Sequence, residues 1–215
     1  MKKLIFLSLF LLTSAISNAQ KFYGFDDVND YDISYLKKYT HRVIKKLNIQ
    51  VRDSISKDGE LVPIVNRNWQ HAMDASFSVR EGDGVGDQFS PSRYYIHSYM
   101  QLSKVLYRVL TKKSDTTLLI QLKANSIVVH EITHYFQSTN EKNYIDANAD
   151  FYGHLKQPSE FEAYSVESYY FFENYNKKVL RRIMHLKFPL RRRCELLINE
   201  YWKIMYSGTT VYPVE

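Results

Sequence analysis

The 215-residue sequence predicts an α+β fold, mostly helical with a small mixed sheet. Three observations lead there. Two long runs without glycine or proline, 116–137 and 159–184, are rich in apolar residues and too long for strands. Short stretches with period-two alternation sit between turn signals in the first half of the chain. No internal repeat and no interdomain linker interrupts it, so 20–215 reads as a single domain.

The first 20 residues, "MKKLIFLSLFLLTSAISNAQ", stand apart. Two lysines, an apolar run from Leu4 to Leu12 and small residues up to Ala19 have the order of a secretory signal peptide, 1–19, cut near Ala19. The apolar run is too short to cross a hydrocarbon layer of ~30 Å as a helix. A secreted or periplasmic location is the expectation. No later segment approaches transmembrane length.

Leu36, Tyr39, Val43, Ile44 and Leu47 share one face of a helix expected over 32–48. "KDGE" at 57–60 is a turn, and "LVPIV" after it is a short strand that Pro63 assigns to a sheet edge. Met73, Ala75, Phe77 and Val79 alternate with polar residues, the pattern of a half-buried strand. "EGDGVGDQ", 81–88, reads as a surface loop; Asp83 and Asp87 could bind calcium, but two carboxylates without a supporting ligand ladder are a weak signal, and no Gly-Lys-Ser/Thr follows to make a phosphate loop. A strand over 93–99 and a helix over 101–111 are expected next, and Ser114 or Asp115 caps the helix that follows. The segment 138–157 is polar and irregular. Pro158 suits the first turn of another long helix, expected to run unbroken to "FP" at 188 and 189, with a last helix over 190–206.

Composition narrows the chemistry. Cys194 is the only cysteine, so neither an internal disulfide nor a cysteine-based metal site is possible; any metal ligands are histidine or carboxylate. The formal charge of +6 falls to +4 once Lys2 and Lys3 leave with the leader. The positive excess is concentrated in 176–195 and reads first as the solvated faces of two helices, with a patch for anionic glycans, lipid headgroups or nucleic acid as the lesser alternative. Nothing resembles a nucleic-acid-binding module, and the expected partner is a peptide or protein substrate.

The stretch "VVHEITHYFQ", 128–137, carries the chemistry. Four helical residues advance about 400°, so His130 and His134 project from nearly the same line, one turn apart, and can reach a single Zn2+ ion. Glu131 lies about 100° around from His130, beside the metal. His-Glu-x-x-His is the pattern of two zinc ligands and a general base. Val128, Val129, Ile132 and Phe136 supply apolar faces that bury the helix, and burying two histidines and a glutamate without a partner is unfavourable.

A catalytic zinc takes a third protein ligand and keeps one position open. "QPSEFEAY", 157–164, offers two carboxylates that differ by about 200° on a helix and cannot point the same way. Glu160 shares its face with Ala163 and Tyr164, and the small residue allows close approach of two helices. Glu160 is the expected ligand, with Glu162 as its substitute and His154 as a further rival.

The pairing of "HEITH" with "EFEA" 26 residues after the second histidine resembles the gluzincin metallopeptidases, closest in style to small bacterial single-domain members. The resemblance covers 128–167. It implies a zincin-like fold, with an active-site helix packed on a glutamate-bearing helix beside a short mixed sheet, and a zinc metallopeptidase that hydrolyses peptide bonds. Many members have an aspartate four residues after the ligand glutamate, where this chain has Tyr164; its hydroxyl, Asp146 or Asp150 is the alternative. In such a site Glu131 takes the proton of the attacking water and passes it to the leaving amine, while Tyr152 and His154 are the first candidates to stabilise the oxyanion, ahead of Tyr164 and His97. Two other readings stand beside it: a zincin-fold binding module without catalysis, and a zinc amidase acting on cell-wall peptides. Glu131 favours an enzyme over a module, because a structural site gains nothing from a base.

Overall fold

A computed structural model describes residues 25–27, 31–49, 51, 61–66, 68–69, 73–81, 96–111, 117–137, 157–206 and 211–212. The N-terminal residues 1–24, where a signal peptide is expected, and the glycine-rich stretch 82–88 lie outside these residues. In chain order the elements are β1 (Phe25–Asp27), α1 (Ser34–Lys46), β2 (Leu61–Asn66), β3 (Ala75–Glu81), β4 (Ile96–Ser103), α2 (Lys104–Thr111), α3 (Leu118–Gln137), α4 (Pro158–Tyr175), α5 (Lys177–Met184) and α6 (Leu190–Met205). This is an α+β arrangement with six helices and one sheet among the described residues. No described helix is long and apolar enough to cross a membrane.

The sheet is mixed, in the order β1-β2-β4-β3. β2 runs parallel to β4, while β1 on β2 and β3 on β4 are antiparallel. The edge position expected for β2 is therefore corrected: it lies between β1 and β4. Pro63 is tolerated because β1 pairs only with Ile64, Val65 and Asn66, so on that side the described pairing stops one residue short of the proline.

Local chemistry explains three further boundaries. α1 buries Leu36, Tyr39, Thr40, Val43 and Ile44, a stripe at i, i+3, i+4, i+7 and i+8, and ends where Asn48 takes a φ of 53°, a conformation asparagine tolerates better than most residues. β4 runs to Ser103 rather than 99, and α2 starts at Lys104 rather than 101. Ser103 sets the switch, since its Oγ accepts from the backbone N–H of Leu106 (3.1 Å) as a helix cap and from that of Asp74 (3.2 Å) at the head of β3. The run from Pro158 does not continue unbroken: at Asn176 the backbone leaves the helical region (φ −149°, ψ 83°), and the Asn176 side chain accepts from Val179 N–H (3.4 Å) to cap a new helix.

The core draws on every layer. Met100 and Leu102 from β4, Leu106 from α2, Val43 and Ile44 from α1, Phe171 and Phe172 from α4, and Leu197, Ile198 and Tyr201 from α6 are almost fully buried. Each large apolar side chain so buried stabilises the fold by about 1.5–3 kcal/mol. α3 runs through the middle, packed most extensively on α4 and also on α1, α2 and β3. Its first turn exposes Leu118, whereas every residue from Val128 to Tyr135 is buried. A helix surrounded on all sides in this way holds its side chains in fixed rotamers, which a metal centre requires.

Candidate metal centre

His130 and His134 stand one turn apart in the buried half of α3, with ring centroids 4.8 Å apart. Their Nε2 atoms are separated by 3.1 Å. Glu160, in the first turn of α4, brings Oε2 to 3.3 Å from Nε2 of His130 and Oε1 to 3.3 Å from Nε2 of His134. Ala163, fully buried on the same face of α4, leaves room for this approach. Bonds of ~2.0–2.1 Å to a tetrahedral metal put neighbouring ligand atoms ~3.3–3.4 Å apart; the two Nε2 atoms come close to that spacing, and each oxygen of Glu160 meets it with one of the two imidazoles. His130, His134 and Glu160 thus form a group that can hold a metal ion.

The hydrogen bonds behind the imidazoles fix which nitrogen faces inward. Gln137 Nε2 donates to the Ser159 carbonyl (3.0 Å) and to Glu162 Oε2 (2.8 Å). Its Oε1 is left to accept from Nδ1 of His134 at 2.9 Å, so that nitrogen carries the hydrogen. Glu167 Oε2, 2.9 Å from Nδ1 of His130, is an acceptor and imposes the same tautomer there. Both Nε2 lone pairs then converge with a carboxylate on one point. Three acceptors aimed at one buried point require a cation, either a proton or a metal ion.

The titration behaviour reflects that requirement. Burial acts to lower the pKa of His130, but the hydrogen bonds it donates to Glu160 and Glu167 outweigh this and raise the pKa well above 6.5. Burial would raise Glu160, yet the two histidines hold its carboxyl far below the usual carboxylate range. For Glu131 burial wins: its carboxyl is pushed up, with the imidazoles opposing and the negative charges of Glu160 and Asp74 adding to the rise. Only 8 % of Glu131 is exposed, and it sits beside the ligand group as the motif requires.

A second carboxylate layer lies behind the ligands. Tyr201 of α6 donates to Glu167 Oε1 at 2.7 Å, and its hydroxyl is 3.0 Å from Ser126 Oγ of α3. The chain Ser126–Tyr201–Glu167–His130 ties three helices to one residue of that group. Tyr164, standing where the resemblance calls for aspartate, packs its ring edge against the His130 imidazole at 4.5 Å between centroids, while Glu167 takes the carboxylate position at Nδ1. Burial pushes the Tyr164 phenol pKa upward.

Of the residues expected from the sequence, His130, Glu131, His134 and Glu160 are brought together. Glu162 is directed to Gln137 instead and supports His134 from behind. Tyr152, His154, Asp146 and Asp150 lie outside the described residues, and His97 lies in β4 with its side chain outside them. Sequence reasoning missed Glu167, Gln137 and Tyr201. Glu167 was accessible to it, because seven residues from Glu160 is two turns and the same helix face.

The donor set fits a divalent metal. Glu131, Glu160 and Glu167 bury three carboxylates beside two imidazoles, and a dication offsets negative charge that is unfavourable to bury alone. Imidazole and carboxylate ligands suit zinc and its first-row neighbours. Comparisons with protein-family models, with curated proteins and with solved structures find no match.

Proposed function

We propose that the chain is an exported zinc metallopeptidase with a zincin-like fold, hydrolysing peptide bonds in the manner of the gluzincins. The observation that carries this reading is the group of His130, His134 and Glu160, with the two Nε2 atoms 3.1 Å apart and each oxygen of Glu160 3.3 Å from one of them, beside a buried glutamate that none of the three needs. A zinc ion held there lowers the pKa of water toward ~7 and polarises a carbonyl oxygen.

The residues of the chain supply the rest. Glu131 accepts the proton of the attacking water and returns it to the leaving amine, and its raised pKa brings it closer to neutral pH, where such transfers are efficient. Gln137 and Glu167 keep the two imidazoles in the tautomer that directs Nε2 inward. β3 ends the sheet among the described residues and packs on α3, so an extended peptide has a backbone edge to pair with next to the site.

The test is cleavage of a peptide library by the purified protein. Wild type cleaves, a chelator stops it and zinc restores it, while Glu131→Ala loses activity by about 10²–10⁴-fold with its metal retained. Cleavage unchanged in Glu131→Ala refutes the mechanism. Metal binding without any hydrolysis supports a binding module, and hydrolysis confined to cell-wall peptide amides supports an amidase.

A further inference from the structure

Charge is distributed unevenly over this molecule. From Asn174 to Arg193 the chain carries eight lysines and arginines and no acid. The other 21 Lys and Arg stand against 23 Asp and Glu, so the remainder is at −2 while the whole is at +6. The entire positive excess therefore belongs to α5, α6 and the corner between them.

α5 buries Leu180 and Ile183 and turns Lys177, Lys178, Arg181 and Arg182 to solvent on its opposite face. The corner adds exposed Lys187, flanked by Leu186 at 37 % and Phe188 at 49 % exposure. None of these five cations has an ion-pair partner among the described residues. The corner is braced: Arg193 Nη1 donates to the Met184 carbonyl, His185 N–H to the Arg181 carbonyl (3.1 Å) and Leu186 N–H to the Ile183 carbonyl (3.1 Å). Phe188 and Leu186 are thus presented to solvent on an ordered turn.

A solvated helix face accounts for the cations but not for two large apolar side chains set among them. A nucleic acid would match the cations and could stack on Phe188, but it gives aliphatic Leu186 nothing to enter. An anionic bilayer surface matches both, because apolar tips enter the headgroup boundary while long cationic side chains reach the phosphates. We propose that the α5–α6 corner docks this protein onto a membrane surface carrying anionic headgroups.

The test is sedimentation of the protein, as purified from the expressing cell, with phosphatidylcholine vesicles that contain phosphatidylglycerol, beside vesicles of phosphatidylcholine alone. Anionic vesicles are expected to bind it at least about tenfold more tightly, and added salt to weaken that binding. Lys178→Glu with Arg182→Glu, and separately Leu186→Ser with Phe188→Ser, each lower the binding several-fold. All four positions are exposed, so circular dichroism and metal content stay those of wild type. Equal binding to both vesicle types, or wild-type binding by either double variant, overturns the proposal. So does displacement of the protein from vesicles by a short DNA duplex when Leu186→Ser with Phe188→Ser binds that duplex as wild type does, a result that identifies a nucleic-acid surface.

Discussion

Glu167 lies seven residues beyond Glu160 in α4, and the two carboxylates grip the same imidazole: Glu160 Oε2 is 3.3 Å from Nε2 of His130, and Glu167 Oε2 is 2.9 Å from its Nδ1. Two turns of helix return a side chain to the same face, so one rigid element orients His130 from both nitrogens. The inner carboxylate belongs to the group that can hold a metal ion; the outer one sets the tautomer of His130.

Replacing the outer partner is expected to loosen the metal without removing it. Glu167→Gln should lower metal affinity by about 10–100-fold, measured by competition with a chromophoric chelator. Tyr201→Phe leaves Glu167 Oε1 without its 2.7 Å donor and should destabilise the metal-loaded protein by about 1–3 kcal/mol in denaturant unfolding. Wild-type affinity in both Glu167→Gln and Glu167→Ala would remove Glu167 from the account.

On the other histidine the order of effects is diagnostic. Gln137→Leu deprives His134 Nδ1 of its acceptor and should weaken metal binding by roughly tenfold. Glu162→Ala should cost less, because Gln137 Nε2 still donates to the Ser159 carbonyl and keeps its orientation. If Glu162→Ala were the more damaging of the two, Glu162 would itself be the third ligand.

pH acts on the metal-free protein through the same groups. The folded pKa of His130 is raised above its ordinary 6.5, so the stability it contributes is fully present below 6.5 and is lost as pH climbs through the raised value. Glu160, held low, acts in the opposite sense: its contribution is present above its ordinary 4.5 and is lost as pH falls through the folded value. Thermal unfolding in chelator should therefore show stability falling on both the acid and the alkaline side. Metal must displace the His130 proton, so affinity should rise with pH, by up to about tenfold per unit while that proton is present. A pH-independent affinity would show that His130 is already neutral.

How much of this was legible follows from which residues decided it. His130, Glu131 and His134 declare themselves because their chemistry and four-residue spacing have few other uses, and Glu160 followed from its sharing a face with Ala163. Glu167 is harder to read, because the family pattern puts the supporting carboxylate four residues past the glutamate of the motif, whereas here it lies two full turns past Glu160. Gln137 is an unremarkable helix-end residue whose role exists only once Ser159 and Glu162 are brought to it by the fold. Asn176 breaks the long run without glycine or proline, and its capping chemistry was the available sign. The internal place of β2 depended on how far β1 extends, which no local pattern in "LVPIV" encodes.

The central claim is that His130, His134 and Glu160 hold one zinc ion. Elemental analysis of the purified protein, beside Glu131→Ala and Glu160→Ala, tests it most directly. The account predicts about one zinc per chain in wild type and in Glu131→Ala, and a large loss in Glu160→Ala. A wild type without bound metal, or full retention in Glu160→Ala, would contradict it.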